Sequence, residues 1–343
     1  MKKTLLALAV LGSSAGAALA QSAAPEQSKV NIVYGLLDLG IVQESGGPSG
    51  SILKLSSGIA NGSRVGFKGN AGLGDGLTAL YQVEAGFQAD TGVSGQGGVL
   101  FGRQAFVGLG GDFGTVTAGR QYTTIDNLIS KVDPFENGYA GRAQNVFMQA
   151  YVSRVNNNVM YSTPKNMGGL TGELAYGFGE VAGSTAKSNY IGASVGYDNG
   201  PLLVRLAYQK SNDATATNSD RNTILGAMYN FGPVKLHAAL AVNNKGVAGV
   251  TKVDAQDVMI GVTLPFGRHS FMAGYVRRND RLAVNRDADQ IGIGYNYNRS
   301  ANWTFYTAYG KISNKNGAAY TVGYSTEAGT GDKGFDLGVR FRF

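Results

Sequence analysis

The stretch LTALYQVEAGFQ, residues 77–88, puts Leu77, Ala79, Tyr81, Val83, Ala85 and Phe87 on one side and Thr78, Gln82, Glu84 and Gln88 on the other. A period of two marks a strand whose two faces meet different surroundings. The pattern recurs in QIGIGYNYN (290–298), where Ile291, Ile293, Tyr295 and Tyr297 oppose Gln290, Asn296 and Asn298. It recurs in VKLHAALAVN (234–243) and in GFDLGVRFRF (334–343), where Phe335, Leu337, Val339, Phe341 and Phe343 alternate with Asp336, Arg340 and Arg342.

Sixteen such segments follow one another, at 30–42, 59–69, 77–88, 99–109, 114–122, 152–163, 169–180, 188–198, 201–211, 221–231, 233–244, 255–266, 269–279, 288–298, 302–313 and 333–343. The phase blurs in the fifth and fifteenth, where a bulge is expected. Even-numbered segments lead into short turns such as GGDFG (110–114) and DNG (198–200). Odd-numbered ones lead into longer polar loops such as QKSNDATATNSD (209–220). Short turns on one rim and long loops on the other are the layout of an outer-membrane barrel. Most segments have about the 9–11 residues a tilted strand needs to cross a bilayer. The expectation is an all-β chain: a 16-stranded antiparallel transmembrane β-barrel, closed so that no backbone group is left unpaired in lipid. Apolar residues then face lipid and polar ones line a lumen too wide for side chains to fill. Tyr161, Tyr197, Tyr229, Phe231, Phe266, Tyr295, Tyr297 and Phe343 lie near the short-turn ends on the apolar face, as an interfacial girdle would.

The first twenty residues stand apart. Lys2 and Lys3, an apolar run from Leu5 to Leu11, and Ala18-Leu19-Ala20 form a secretory signal peptide, leaving 21–343 as one barrel domain exported to the outer membrane. The chain has no cysteine, which excludes disulfides and thiolate chemistry. Lys and Arg exceed Asp and Glu by seven, five of them after the signal, without basic runs. Nucleic acid is therefore not an expected partner, and no cofactor motif is present. GLGDGL (72–77) lacks the Lys-Ser/Thr and helix of a phosphate loop and reads as a turn.

The connection YTTIDNLISKVDPFENGYAGRAQNVFMQAY (122–151) is much the longest. Loops of that length are usually functional, and in a wide barrel this one is expected to fold into the lumen and narrow it. It carries Asp126, Lys131, Asp133, Glu136 and Arg142. Arg64, Lys68, Arg103, Arg154, Arg205, Lys235, Arg340 and Arg342 fall on the lumen-facing phase, as do the fewer acids Asp38, Glu84, Glu173, Asp257 and Asp336. Fixed positive charge in a narrow pore lowers the barrier for anions and raises it for cations.

At these residues the chain resembles the general trimeric porins of β-proteobacterial outer membranes. VNIVYGLLDLG (30–40), GSRVGFKGNAGLGDGLTALYQVE (62–84), RQAFVGLGGDFGTVTAGRQY (103–122), NNNVMYSTP (156–164) and the terminal Phe343 carry the likeness through their order and spacing. The resemblance implies a homotrimer seated in lipid, passing small hydrophilic solutes, with anions favoured by the family's arginine pattern. It implies a constriction lined by Arg64, Arg103 and Arg154, with Glu84 and Asp133 as the acids nearby. It also implies that Phe343 is an assembly signal read by the barrel-insertion machinery. The loops depart from the family pattern, notably in the basic RRNDR (277–281).

Two other readings compete. A barrel enzyme would want a base oriented beside its partner, but the chain has only His237, early in a strand, and His269, in a short turn. A substrate-specific channel for small anionic metabolites would display aromatics along its lumen, whereas most of the readable aromatics face outward. Metal binding by Asp213, Asp220, Asp280 and Asp287 lacks a ligand spacing.

Overall fold

A computed structural model describes residues 29–149, 151–247 and 250–343; the signal peptide expected at 1–20 lies outside them. Among these residues the strands are β1 (Lys29–Gly47), β2 (Gly50–Ser57), β3 (Arg64–Gly74), β4 (Leu77–Gly86), β5 (Gln104–Gly111), β6 (Gly114–Tyr122), β7 (Arg154–Ser162), β8 (Leu170–Gly177), β9 (Tyr190–Asn199), β10 (Leu202–Asn212), β11 (Ser219–Asn230), β12 (Lys235–Val247), β13 (Val250–Phe266), β14 (His269–Asp280), β15 (Ala288–Asn298), β16 (Trp303–Asn314) and β17 (Lys333–Arg342). β2 and β3 both pair antiparallel with β1, each strand from β3 onward pairs antiparallel with the next, and β1 pairs with β17, with Leu36 opposite Arg342 and Ser45 opposite Lys333. The sheet therefore closes into a barrel. No described helix is long and apolar enough to cross a membrane.

Seventeen strands occupy sixteen positions because the second is split. The lower half of β1 pairs with β3 (Lys29 opposite Ala71, Leu36 opposite Arg64) and its upper half with β2 (Leu39 opposite Ser57, Glu44 opposite Ile52). Two expectations are corrected here. Residues 50–57, expected in a loop, are strand, and the segment at 59–69 is not continuous. Residues 58–63 leave the wall and turn into the lumen. Gly58 supplies a positive φ of 69°. Asp38 on β1 then receives the turned backbone, its carboxylate accepting the N–H of Ile59 (2.9 Å), Ala60 (3.3 Å) and Asn61 (3.1 Å). A fully buried carboxylate and Ser63 thus take over the hydrogen bonds that the ladder gives up.

The faces sort as expected. Leu206, Leu225, Leu240, Ile260 and Ile293 point outward and are exposed, while Arg205, Asn243, Asp257 and Gln290 point inward and are buried. At the short-turn rim Tyr229 and Phe231, Phe271 and Tyr295, and Trp303 and Phe341 stack in pairs 4.4–5.0 Å apart. Of the two expected bulges, β6 carries one between Gly119 and Gln121. β16 does not, since its ladders are regular on both sides. Its phase blurs because Tyr306 and Ile312 face inward and are buried there.

What buries them is the long connection, which folds inside the barrel. It begins with a helix, α1 (Thr124–Val132), capped by Thr123, whose hydroxyl accepts the N–H of Asp126 at 3.2 Å. Ile125, Leu128, Ile129 and Val132 form its buried face. That face lies against inward apolar wall residues, and Gly226 leaves it room, since a Cβ there would meet Val132 and Leu128 at 3.1–3.2 Å. Beyond α1 the chain continues along the adjoining wall of β13 to β17. There Gly261, Gly274, Gly292, Gly310 and Gly334 stand in one register row across β13 to β17. A Cβ on Gly310 would sit 2.1 Å from the Ala140 carbonyl oxygen, and one on Gly292 would sit 2.7 Å from the Gly141 Cα. The row is a trough in the wall, and the loop rests in it.

Candidate functional site

The polar passage runs between the loop and the wall of β3, β5 and β7. Its middle part is a cavity of about 500 Å³ lined by Arg64, Arg103, Tyr122 and Arg154 from the wall and by Asp126, Glu136 and Arg142 from the loop. Toward the long-loop rim it shares Arg142, Gln144, Tyr151, Ser153 and Ser325 with a cavity of about 350 Å³. Toward the short-turn rim it shares Ser130 and Glu136 with one of about 370 Å³ that also meets Lys131, Lys235 and His237. The three form one course through the barrel. A larger concavity of about 810 Å³ lies on the outside among Leu236, Ile260, Ile291 and Ile293, with almost no polar group to do chemistry.

Three of the expected arginines meet in a single network. Arg103 Nε donates to Glu84 Oε1 at 2.7 Å, and Arg64 Nη1 lies 3.9 Å from the same oxygen. The other Glu84 oxygen accepts from the Tyr34 hydroxyl at 2.8 Å. The Tyr122 hydroxyl accepts from Arg103 Nη2 at 2.7 Å and from Arg154 Nη2 at 2.5 Å. The Arg154 guanidinium also stacks over the Tyr122 ring at 4.2 Å. Arg64 Nε donates to the carbonyl of Gly62, so the in-turned segment fixes that side chain. One carboxylate among three guanidinium groups leaves Arg64 at the long end of its range and Arg154, among the described residues, without an ion pair. Mutual repulsion is tolerated because Glu84 and Tyr122 interleave the cations.

Facing them, the Tyr151 hydroxyl donates to Asp126 at 2.8 Å, and burial raises the Asp126 carboxyl above its ordinary range. Arg142 donates to the Tyr324 carbonyl, tying the loop to the connection before β17.

The remaining candidates are dispersed. Asp133, expected beside the arginines, is instead turned into the loop's own fold. Its carboxylate is 1% exposed and accepts the N–H of Phe135 (3.0 Å), Asn137 (3.1 Å) and Ala143 (3.0 Å). Burial pushes its pKa up to about 6 against those hydrogen bonds. Arg205 donates to Thr171 (3.0 Å) and lies 3.6 Å from Glu173, away from the passage. Lys68 lies with its ammonium 5.1 Å from the Tyr34 ring centre, Lys235 lines the lower cavity, and Arg340 donates to Asn61. Phe343 extends β17, its backbone exchanging hydrogen bonds with Gly35 at 2.9 and 3.1 Å. His237 holds the end of α1, with Nδ1 3.1 Å from the Val132 carbonyl and Nε2 3.1 Å from the Thr263 hydroxyl.

Tyr122, Asp126, Glu136 and Arg142 were not singled out by the sequence reading as lining residues. A signal for Tyr122 exists: it and Arg154 are register partners where the chain leaves the wall and where it returns. Among the described residues no group of His, Asp and Glu is arranged to hold a metal.

The family model described as Gram-negative porin matches residues 7–317. Outer membrane porin protein 32 of Delftia acidovorans is 31% identical, and an outer membrane porin protein of Bordetella pertussis is 30% identical. Both comparisons cover the whole of each chain. Among solved structures, an anion-selective porin from Comamonas acidovorans superposes with a TM-score of 0.82 at 28% identity, covering 92% of this chain and all of that one.

Proposed function

The chain belongs to the Gram-negative porin family, outer-membrane channels rather than enzymes, and from that premise we propose that its passage conducts small hydrophilic solutes with a preference for anions. The observation that carries the preference is the wall network. Arg64, Arg103 and Arg154 converge on one side of the middle cavity, with Glu84 the one carboxylate in their network. An anion there exchanges hydration for guanidinium N–H donors, and a cation meets their field. The likeness to a structure named for anion selectivity supports the same reading. The Asp126 and Glu136 carboxylates opposite make the field run across the passage, which orients a solute as well as selecting its sign.

The reading extends to assembly. The protein works as a homotrimer in outer-membrane lipid, residues 1–20 direct export, and Phe343 is read by the barrel-assembly machinery. The family likeness supports the trimer and the terminal signal, and the charge and apolar pattern of residues 1–20 supports the leader.

The test is the zero-current potential of the protein in a planar bilayer under a salt gradient. In water a unit charge about 6 Å from a passing ion is worth about 0.7 kcal/mol. Arg154→Gln weakens attraction for anions and relieves repulsion of cations, so the anion-to-cation permeability ratio falls by about tenfold at low salt and by less at 1 M. A parent channel that prefers cations, or a variant with an unaltered ratio, would sink the assignment.

A further inference from the structure

Two cross-strand pairs on the outer surface set like charges against each other. Lys210 of β10 stands opposite Arg221 of β11, and Lys311 of β16 stands opposite Lys333 of β17. Alternation fixes their side of the wall. Arg205, Ala207 and Gln209 are buried inward, so Lys210 shares the outer face of β10 with Leu206. Lys333 likewise shares the outer face of β17 with Phe335 and Leu337, both exposed. All four cations border long connections, 213–218 for one pair and 315–332 for the other, and so stand at the rim that faces outside the cell.

Like charges directly opposite on a sheet repel. Among the described residues none of the four forms an ion pair. Three acids at that rim are engaged elsewhere: Asp220 with Lys245 (2.7 Å), Asp254 with Arg281, and Asp289 with Lys315 (2.6 Å), while the Asp332 carboxylate turns toward Gly46. Arg221 donates from Nε to Ser219 Oγ at 3.0 Å.

Directly below each pair the outer face turns apolar. Lys333 lies two residues from Phe335, and Arg221 four from Leu225, or about 7 and 14 Å along a strand. One ligand therefore meets cations at its head and an apolar belt at its tails. We propose that the Lys210–Arg221 and Lys311–Lys333 pairs are binding sites for the phosphate groups of outer-leaflet lipid, with the acyl chains lying on the belt beneath. A free phosphate would satisfy the cations but leave the belt unused, and an uncharged lipid would do the reverse. Arg221 adds a fork of N–H donors suited to phosphate oxygens.

Native mass spectrometry of the full detergent-solubilised porin tests this with three probes: bisphosphorylated lipid A, dephosphorylated lipid A of the same acylation, and inorganic phosphate. The parent holds the phosphorylated lipid about 30-fold more tightly than the dephosphorylated one, and inorganic phosphate at matched phosphorus does not displace it. The double variants Lys210→Glu/Arg221→Glu and Lys311→Glu/Lys333→Glu each lose one bound lipid while keeping parental single-channel conductance. Should a charge-reversed chain fail to fold, the corresponding Gln variants carry the same expectation. Unchanged lipid retention in the variants overturns the proposal. So does equal retention of the dephosphorylated lipid, which would assign binding to the belt alone, and so does displacement by inorganic phosphate.

Discussion

Replacing Gly310 by alanine asks whether the wall, rather than the loop, sets the position of the constriction. The new Cβ would lie 2.1 Å from the Ala140 carbonyl oxygen and 2.7 Å from its carbon. Ordinary contact needs about 3.4 Å, so the loop must lift by about 1 Å, because the obstacle is backbone that cannot rotate away. Ala140 is also anchored by its N–H, which donates to Asp336 at 2.7 Å, and Gln290 holds the carbonyls of Gly141 and Arg142 at 3.0 and 2.8 Å. A lift of that size stretches the Asp336 bond beyond useful length and costs about 1–3 kcal/mol for a buried N–H left unsatisfied. The loop can move only toward the arginine wall, so single-channel conductance falls together with thermal stability. Gly110→Ala is the control, since its Cβ meets nothing closer than 3.5 Å. Parental conductance and melting temperature for Gly310→Ala would refute the seating of the loop on the glycine row.

Two further outcomes follow from buried carboxylates. Asp38→Ala strands three backbone N–H groups and the Tyr306 hydroxyl, which donates to Asp38 at 2.7 Å. The loss is about 3–5 kcal/mol, read as a lower urea midpoint, with Asp38→Asn milder. Asp133 has a carboxyl raised to about 6, above its unfolded value near 3.9. The folded state therefore binds the proton more tightly, and stability from this group declines as pH rises from about 4 through 6, by on the order of 3 kcal/mol. Thermal unfolding followed between pH 4 and 8 should show that decline in the parent and lose it in Asp133→Asn.

The strands were legible because lipid and water impose opposite demands on alternate residues, and a period of two survives in a single sequence. Where the reading failed, the inner surface had ceased to be water. Tyr306 and Ile312 are apolar and inward because the loop covers them, so the blurred phase of β16 reported a packed interior rather than a bulge. Ile59 and Ala60 continued an apparent strand, yet the apolar surface they seek is also the loop. Arg64, Arg103 and Glu84 were recoverable from phase together with family likeness. Asp133 was misplaced because it precedes Pro134 and the Asn137-Gly138 turn, and there a carboxylate serves its own backbone before it serves a passage. The glycine row is plain in each strand but has no meaning until five registers bring it into line.

Among the described residues β1 is the longest strand, and it closes the wall. It pairs with β2, β3 and β17, and the last of these contacts joins segments about 300 residues apart. Closing a chain of that length costs about 5 kcal/mol in loop entropy. Until it closes, both β1 and β17 present an open edge to hydrocarbon, where each bare N–H or C=O costs several kcal/mol. The barrel thus has no stable half-built form in the bilayer: synthesis must finish before insertion can be committed. An assembly factor that shielded the β1 edge until β17 arrived would act on the step at which folding is won or lost.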